Sequence, residues 1–424
     1  MTGRTPLGSR RRGKGRAKFE MALAVGSVLV AVVLFAGVMV VSFDLLHSDK
    51  ATEGRSSLAP VRITGAEETV FSWARDRCAD EDIPDLPARA FKDESGQVHL
   101  ITAHFTGRQF VGPTLDRLRH PCDVLMSSAD DPNPARFNDH EWLAAPYSPD
   151  GRTVYALVHN EYHGYEHPGR CPSGDYLKCW YNAVTLAVSR DGGASFRDAR
   201  PPPGHLVATT PYRYVPDAGP YGIFSPSNIV RQEDGHYYTI VLAQSYGRQQ
   251  LGSCLLRTQR LDLPSSWRAW NGSEFETVMP SPYEPGLGSP GEHVCETVSK
   301  PEIGNMHESL TYNTYLDKYL LVGLSGSQVP GRRGVTWGIY YSTSDDLVDW
   351  STRKLIREVE LPWTYKCGDL NPILYPSVLD PESTSRNFET TGRRPYMYFT
   401  RFHYRDCVQT LNRDLVRVRL SFSR

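Results

Sequence analysis

The sequence predicts an all-β protein, a five-bladed β-propeller ectodomain preceded by one N-terminal transmembrane helix. Three observations support this prediction: a strand pattern that recurs five times, two Ser/Asp hairpin turns that end in an aromatic residue, and one long uncharged run near the N-terminus. Repeats of this length without a helical period indicate a radial array of four-stranded sheets. A β-sandwich is the structural alternative, but it requires no internal period this long.

The N-terminal region predicts a membrane anchor. Residues 1–20 are rich in arginine and lysine, whereas residues 21–43 contain no charged side chain. A helix of about 23 residues crosses a hydrocarbon core of about 30 Å, and its basic flank stays in the cytoplasm. We therefore expect a basic cytoplasmic tail (1–20), a single-pass signal-anchor helix in the lipid bilayer (21–43), and an extracytoplasmic domain at the cell surface or in the periplasm. A cleaved signal peptide is the alternative, but its apolar region is shorter and precedes an A-x-A-like site.

The rest of the chain divides into a polar linker (44–65) and the predicted propeller (66–424). All eight cysteines lie in the second part, and an even number in an extracytoplasmic domain favours disulfides. Cys171 and Cys179 bracket a short Pro/Gly loop and are predicted to pair.

No C-x-x-C spacing occurs, so we assign no metal site and expect no cofactor. The formal net charge of −1 argues against a nucleic-acid partner.

The repeat consists of a strand rich in aromatic and β-branched residues, with a shorter strand before it and, in several repeats, another after it. We expect residues 69–76 to pair with residues 415–422, so that both chain ends build one blade. The central strands are predicted at 97–106, 153–162, 236–245, 318–327 and 395–404, the preceding strands at 87–93, 140–148, 224–232, 307–313 and 374–380, and the following strands at 122–130, 182–191 and 337–346.

Two segments carry the hairpin pattern, Ser189-Arg-Asp-Gly-Gly-Ala-Ser-Phe196 and Tyr341-Ser-Thr-Ser-Asp-Asp-Leu-Val-Asp-Trp350. In both, an apolar strand runs into a Ser/Asp turn, where the carboxylate accepts backbone N–H bonds and the aromatic packs back on the strand. The first segment resembles the Asp-box of sialidase-type β-propellers, and the second resembles the blade hairpins of five-bladed glycosidases. Segments 156–164, 225–230 and 375–381 are also similar to a group of bacterial envelope proteins, a resemblance that implies no activity.

The predicted site lies where the first strands of the blades meet around the axis. Those strands begin with unusually polar residues, which are costly to bury unless they meet water, a ligand or one another. An Asx turn at Asp85 and simple arginine–carboxylate ion pairs are the structural alternatives. We predict catalytic roles for Asp85, Glu141 and Glu308, and substrate-binding roles for Arg89, His104, His140, His159, Glu161, Asn228, His307, Tyr375 and Arg401.

The resemblance to five-bladed glycosidases such as arabinanase and invertase implies glycoside hydrolysis by a pair of carboxyl groups, with an envelope or environmental carbohydrate as substrate. That family takes its acids from the inner strands of successive blades. Here the third blade offers Ser227 and Asn228, so the proposed third acid, Glu308, falls one blade later. Three alternatives stay open: a sialidase-like hydrolase, which requires an arginine triad and a Tyr/Glu pair, a non-catalytic propeller that binds carbohydrate or protein, and a metal-dependent hydrolase built on His and Glu residues.

Overall fold

The computed structural model describes residues 60–423 apart from residues 103, 330 and 332. The predicted cytoplasmic tail, the predicted membrane helix and most of the predicted linker lie outside these residues. Within the described part, the chain is nearly all β, and none of its helices has the length and apolarity needed to span a membrane. Its helices are short: α1 (Trp73–Asp76), α2 (Lys300–Ile303) and 3₁₀ turns at Leu177–Cys179, Pro264–Ser266 and Pro290–His293.

The described strands form one eleven-stranded sheet, one five-stranded sheet, two four-stranded sheets and one two-stranded sheet. In chain order, they are β1 (Val61–Phe71), β2 (Arg89–Lys92), β3 (Val98–Ile101), β4 (Thr106–Gly107), β5 (Gln109–Thr114), β6 (Arg117–Arg119), β7 (Met126–Ser127), β8 (His140–Tyr147), β9 (Val154–His163), β10 (Trp180–Ser189), β11 (Arg197–Asp198), β12 (Leu206–Ala208), β13 (Tyr221–Phe224), β14 (Val230–Arg231), β15 (Tyr237–Ala243), β16 (Gly252–Thr258), β17 (Arg268–Trp270), β18 (Phe275–Thr277), β19 (Ser309–Asn313), β20 (Lys318–Gln328), β21 (Val335–Ser344), β22 (Lys354–Glu358), β23 (Ile373–Leu379), β24 (Thr390–Thr391), β25 (Tyr396–Arg405) and β26 (Val408–Phe422).

The first group of strands is the antiparallel sheet β2-β3-β5-β6. The prediction of its third strand at 122–130 is wrong, because β5 occupies that place beside β3. Phe110 of β5 is buried in the core that β3 also enters, whereas Cys122 is bound to Cys78 in a disulfide. Of residues 122–130, β7 alone is a strand, and it pairs with β4 in the small separate sheet.

The eleven-stranded sheet contains the second and third groups, which a short parallel pair between β10 and β13 joins. The second group is built on β8-β9-β10, and the third runs from β13 to β18. Every residue of β8 and β10 is buried, since strands covered on both faces do not alternate between polar and apolar side chains. The register places His140 of β8 and Asn182 of β10 on either side of Glu161 of β9, so polar side chains collect at one end of this group.

The fourth group is β22-β21-β20-β19, with β24 added parallel to β19. The fifth group is β23-β25-β26-β1, in which β1 pairs antiparallel with β26. This confirms the predicted pairing of the two chain ends, with Thr69 opposite Val416. The strand begins earlier than expected, because residues 61–65, which we assigned to the linker, are already part of β1. Residues 73–76 form α1 instead of strand, and Asp76 accepts the N–H of Ser72 at its start.

Buried apolar clusters lie between each group and the next. A cluster also joins the fifth group to the first, so the packing of the described residues returns to its starting point. Representative pairs are Phe91 with Val154 between groups one and two, Leu157 with Val241 between two and three, Tyr238 with Leu310 between three and four, Val322 with Val378 between four and five, and Leu379 with Leu100 between five and one.

Both Ser/Asp turns have the predicted geometry. In the first turn, the Asp191 carboxylate accepts the backbone N–H of Ser195 at 3.0 Å. In the second, the Asp346 carboxylate accepts the N–H of Val348 at 2.9 Å, and the Trp350 ring is buried in the core. The two carboxylates therefore stabilise the turn conformations through bonds to the backbone of the turn itself, and Trp350 attaches the second turn to the apolar core.

The eight cysteines form four disulfides, and none is free. This confirms the predicted use of the cysteines and the predicted Cys171–Cys179 pair. The partners lie between 8 and 44 residues apart, so each disulfide closes a local loop and none ties the chain ends together. The pairs are Cys78–Cys122, Cys171–Cys179, Cys254–Cys295 and Cys367–Cys407.

Candidate functional site

A small pocket lies where the first strands of groups one, three, four and five come together. Its walls come from residues just before β2 and β19, just after β13, and within β20 and β23, and one tryptophan is added from the segment between β22 and β23. The interior volume is about 10 Å³, which is room for about one water. The lining residues are Pro87, Ser225, His307, Glu308, Leu324, Trp363, Leu374 and Tyr375.

Glu308 forms part of the pocket wall, and its carboxylate is held by the backbone. One of its oxygens accepts the N–H of His307 and the other accepts the N–H of Leu324, both at 3.0 Å. Gly323 of β20 leaves room for this carboxylate, because a Cβ at that position would lie 2.2 Å from Glu308 Oε2. The orientation of Glu308 is therefore fixed before any ligand arrives.

Tyr375 lines the same pocket and contacts a second carboxylate. Its backbone φ of +57° is unusual for a bulky residue, and it lies at an irregularity in the pairing of β23 with β25. The Tyr375 hydroxyl donates to Asp85 Oδ1 at 3.1 Å. Burial and the Asp85 carboxylate raise the pKa of Tyr375 well above its usual value. Strain of this kind clusters at functional positions in proteins, so Tyr375 is a candidate for chemistry.

Asp85 lies behind Tyr375 and is surrounded by hydrogen-bond donors. Besides Tyr375, the Trp142 indole donates to it at 3.3 Å, and the guanidinium of the fully buried Arg413 donates to Oδ1. His104 Nε2 lies 3.8 Å from Oδ2. Burial raises the pKa of Asp85, and the Arg413 charge opposes that shift. Burial also lowers the pKa of His104 well below its usual value, which keeps this imidazole neutral at pH 7.

His159 approaches the pocket from the second group, behind Ser225. Its Nδ1 lies 3.1 Å from the Ser225 hydroxyl, and its Nε2 lies 3.0 Å from the Asn182 side-chain oxygen. Glu161 Oε1 is 3.7 Å from His159 Nδ1. Burial lowers the pKa of His159. The second group therefore reaches the pocket through a neutral histidine and not through a carboxylate.

Glu161 and His140 belong to a separate set of charged side chains at the same end of the second group. We call this set, which consists of Asp139, His140, Glu161, His163 and Glu166, the histidine–carboxylate cluster. The His140 and His163 rings stack with their centroids 4.4 Å apart, and Glu161 Oε2 lies 2.7 Å from His163 Nε2. His159 connects this cluster to the pocket.

Arg89 and Asn228 contact the fourth group through its backbone. The Arg89 guanidinium donates to the main-chain carbonyl of Glu308, and burial lowers its pKa to about 9. The Asn228 side-chain oxygen accepts the N–H of Leu310 at 3.3 Å. Both side chains therefore hold Glu308 and the adjacent start of β19 in place.

Two of the predicted site residues lie elsewhere. The Glu141 side chain points away from His140 and contacts Asp198 and His205, with Glu141 Oε1 4.0 Å from His205 Nε2. Alternation along β8 explains this placement, because neighbouring residues of a strand face opposite sides. Arg401 donates to Glu67, a residue of β1. Neither residue is part of the pocket wall.

The sequence did not identify three residues that shape this region, Ser225, Trp363 and Arg413, nor Asp198, which contacts Glu141 away from it. Arg413 has the clearest signal, since it lies in the long, largely buried strand β26, where a guanidinium requires a buried carboxylate partner. Ser225 and Trp363 lie outside strands, so no periodicity marks them. Their contribution follows from the tertiary packing alone.

No protein-family model matches the sequence, and no curated protein matches it. Solved structures do resemble the fold at low identity. An α-L-arabinanase from Cellvibrio cellulosa, complexed with arabinohexaose, has a TM-score of 0.44 and 13% identity, over 79% of this chain and 90% of that one. An endo-1,4-β-xylanase from Bacteroides thetaiotaomicron has a TM-score of 0.42 and 10% identity, over 81% and 96%. A glycosyl hydrolase from Bacteroides ovatus has a TM-score of 0.41 and 9% identity, over 80% and 84%.

Proposed function

We propose that the five groups of strands are the blades of a five-bladed β-propeller. Two features of the described residues support this proposal. Each group packs on its neighbours through a buried apolar cluster, including the fifth on the first, and β1 completes the sheet that contains the last strand of the chain. A radial array of sheets with a ligand site on its axis has this arrangement.

The chain is, in this proposal, a glycoside hydrolase that acts on an envelope or environmental glycan. The observation that carries it is that Glu308 and Tyr375 line one pocket, and that the Tyr375 hydroxyl donates to the Asp85 carboxylate behind it. Two carboxyl groups that flank a reacting centre are the usual requirement for glycoside cleavage, and sialidases use a tyrosine as the attacking group. The pocket combines these elements.

Hydrolysis on these groups has two steps and requires the pocket, which has room for about one water as it stands, to open for the sugar. In the first, the Tyr375 oxygen attacks the anomeric carbon, its proton passes to Asp85, and Glu308 gives a proton to the leaving oxygen. In the second, water attacks the anomeric carbon and loses a proton to Glu308, while Tyr375 leaves and recovers its proton from Asp85. Because the pKa of Tyr375 is raised, the hydroxyl reacts only with a base beside it, and Asp85 at 3.1 Å is that base.

The test is turnover of a panel of nitrophenyl arabinosides, xylosides, galactosides and sialosides by the full-length chain in detergent. We expect at least one compound to be hydrolysed, and Glu308→Gln and Tyr375→Phe to lower turnover by about 10²–10⁴-fold, the usual effect of losing a positioned acid, base or nucleophile. Glu389→Gln is the matched control, because Glu389 is a half-buried glutamate that contacts Tyr147 and Arg231, away from the pocket. Normal turnover in Glu308→Gln would place the site elsewhere.

A non-catalytic carbohydrate-binding propeller is the second candidate, and one observation favours it. Both oxygens of Glu308 already accept backbone N–H bonds, and Asp85 accepts bonds from Tyr375, Trp142 and Arg413. Carboxylates that already accept this many hydrogen bonds are rigid, and a rigid carboxylate can serve to bind a ligand as well as to catalyse a reaction. If the wild-type chain cleaves none of the panel but binds a glycan by calorimetry, binding is the function.

We also propose that the propeller is extracytoplasmic and tethered to the lipid bilayer through residues 21–43. The uncharged length of that segment and the four disulfides of the described domain support this placement, because structural disulfides persist outside the reducing cytoplasm.

A further inference from the structure

The histidine–carboxylate cluster contains a set of three ligands that the pocket does not use. His140 is the first residue of β8, His163 is the last residue of β9, and Glu166 follows on the turn after β9. His140 Nε2 lies 3.5 Å from Glu166 Oε2, and His163 Nδ1 lies 3.5 Å from Glu166 Oε1. One ligand atom from each residue falls within 4.8 Å of the other two. The antiparallel pairing of β8 and β9 therefore brings two imidazoles and a carboxylate to one point.

We propose that His140, His163 and Glu166 form a binding site for a divalent first-row transition metal, with zinc as the fitting representative. Two ligands of a tetrahedral zinc ion lie about 3.4 Å apart when each is about 2.1 Å from the metal. His140 Nε2 and His163 Nδ1 each come within 3.5 Å of a Glu166 oxygen, one of Oε2 and the other of Oε1, so a small rotation of the carboxylate would bring one oxygen to this spacing from both nitrogens. Two imidazoles and one carboxylate suit zinc and its neighbours in the first row, whereas calcium and magnesium prefer oxygen ligands.

The outer contacts of the two histidines support a metal site. Glu161 Oε2 lies 2.7 Å from His163 Nε2, and Asp139 Oδ1 lies 3.3 Å from His140 Nδ1. The contact of His163 with Glu161 is a hydrogen bond, whereas Asp139 lies beside His140 Nδ1 as a charged neighbour without hydrogen-bond geometry. Metal-bound histidines almost always have such a partner, which fixes the ring and the tautomer. The second oxygen of Asp139 accepts the backbone N–H of His163 at 2.8 Å and is itself held in place.

A second and independent observation points to a ligand. His163 Nδ1 is fully buried within the described residues and has no hydrogen-bond partner, although it faces the Glu166 carboxylate. The His163 side chain is only 4% exposed, so water from the bulk does not satisfy this atom. A metal ion between His163, His140 and Glu166 would satisfy it.

The site has an open side. The Glu166 side chain is 28% exposed, in contrast to the buried histidines, and the Tyr165 hydroxyl donates to it. An ion can enter from solvent past Glu166, and three protein ligands leave a fourth position for water or another oxygen ligand. The sequence does contain H-x₃-H spacing at His159, His163 and His167, but of these only His163 belongs to the proposed ligand set, so the spacing does not predict this site.

A protonated His163 in a purely ionic cluster is the alternative, and the experiment separates the two. The full-length chain in detergent is stripped with a chelator, dialysed and titrated with zinc chloride, and the bound zinc is measured by elemental analysis and by competition with a chromophoric chelator. We expect one zinc per chain at this site. Glu166→Gln and His140→Gln should weaken zinc binding at least about 100-fold, and Glu161→Gln about 10–100-fold. His236→Gln is the control, because His236 pairs with Asp234 near the surface and far along the chain, and should bind zinc as the wild type does.

Cobalt substitution supplies a second readout, since tetrahedral cobalt absorbs visible light and Glu166→Gln should remove that absorption. If His140→Gln does not fold, Glu166→Gln on its partly exposed turn still tests the site. The proposal is overturned if the stripped wild type binds no zinc, or if zinc binding survives Glu166→Gln and is lost in Glu141→Gln. The last result would assign the ion to Glu141, Asp198 and His205. None of these readouts depends on glycoside hydrolysis.

Discussion

At the scale of single residues, the domain stabilises its buried carboxylates in two different ways. Asp85 has a guanidinium partner, the fully buried Arg413, together with two neutral donors. Among the residues that the structure describes, Glu141 has no arginine or lysine as close, and its polar neighbours include Asp198 and His205. Burial and the Asp198 carboxylate raise the pKa of Glu141 to about 9. We infer that Asp85 is stabilised as an ion pair and Glu141 as a neutral acid that shares its proton with Asp198.

This difference predicts how stability depends on pH. A carboxyl group with a raised pKa in the folded state stabilises the protein fully below its unfolded pKa and loses that contribution as pH rises toward the folded value. For Glu141, the loss falls between about pH 4.5 and about pH 9. Glu141→Gln replaces the neutral acid by a neutral amide of the same shape. We therefore expect the variant to match the wild type near pH 5 and to be more stable at pH 9, by about 1 kcal/mol or more, since one pKa unit corresponds to about 1.4 kcal/mol.

Thermal unfolding of the full-length chain at pH 5, 7 and 9 measures this effect. Glu274→Gln, at an exposed position in a turn, is the control and should follow the wild type at every pH. A Glu141→Gln variant that loses stability steadily from pH 5 to pH 9, in parallel with the wild type, would show that Glu141 is ionised in the folded protein.

The candidate site was predictable from the sequence to a limited degree. The principle that polar residues at the starts of inner strands converge identified Glu308, His307 and Tyr375, which line one pocket, and Asp85, which lies behind it. It did not separate Glu141 from His140, because neighbouring residues of a strand face opposite sides and the sequence does not reveal which side meets the axis. Arg413 was missed because its partner, Asp85, lies 328 positions away along the chain.

At the scale of elements, the Ser/Asp turns are stabilised locally and were therefore predictable. The Asp346 carboxylate accepts the N–H groups of Val348 and Asp349 at 2.9 and 2.8 Å, and Leu347 takes a φ of +72° between them. All of these contacts lie within a few residues.

By contrast, the strand predicted at 122–130 was wrong because β5 pairs with β3 in its place. Which of the two segments takes this position depends on tertiary packing.

The second turn provides a matched pair of substitutions. Asp346→Ala removes two charge-assisted bonds to the backbone, so we expect a loss of about 1–2 kcal/mol in the free energy of unfolding. Asp345→Ala, at the next position, removes only an exposed ion pair with Lys318, whose members are 37% and 76% exposed. Such pairs contribute about 0–1 kcal/mol. Chemical denaturation measures both, and equal losses in the two variants would contradict the role given to Asp346.

At the scale of the whole molecule, stability is divided between local disulfides and packing between the groups. Each disulfide closes a loop within one region, and three of the four span 40 to 44 residues. A loop of about 40 residues gains about 4 kcal/mol from closure in the chain-entropy model. The oxidised state is therefore a large part of the stability of this domain, which fits the proposed extracytoplasmic location.

This gives a prediction for the full-length protein isolated from its host without reductant. Alkylation under denaturing, non-reducing conditions should leave all eight cysteines unlabelled, and mass spectrometry should recover a Cys171–Cys179 peptide. Reduction before alkylation is the control and should label all eight. Free reaction of the cysteines without reductant would contradict both the disulfides and the oxidising compartment.

The pairing of β1 with β26 also governs the order of events during biosynthesis. The first described strand has its sheet partner only in the last strand of the chain, with Val61 opposite Phe422. During synthesis, β1 has no partner strand until about 340 further residues have emerged from the ribosome. The domain therefore cannot complete its fold co-translationally, and a nascent chain stalled before β26 exposes a strand edge open to mispairing.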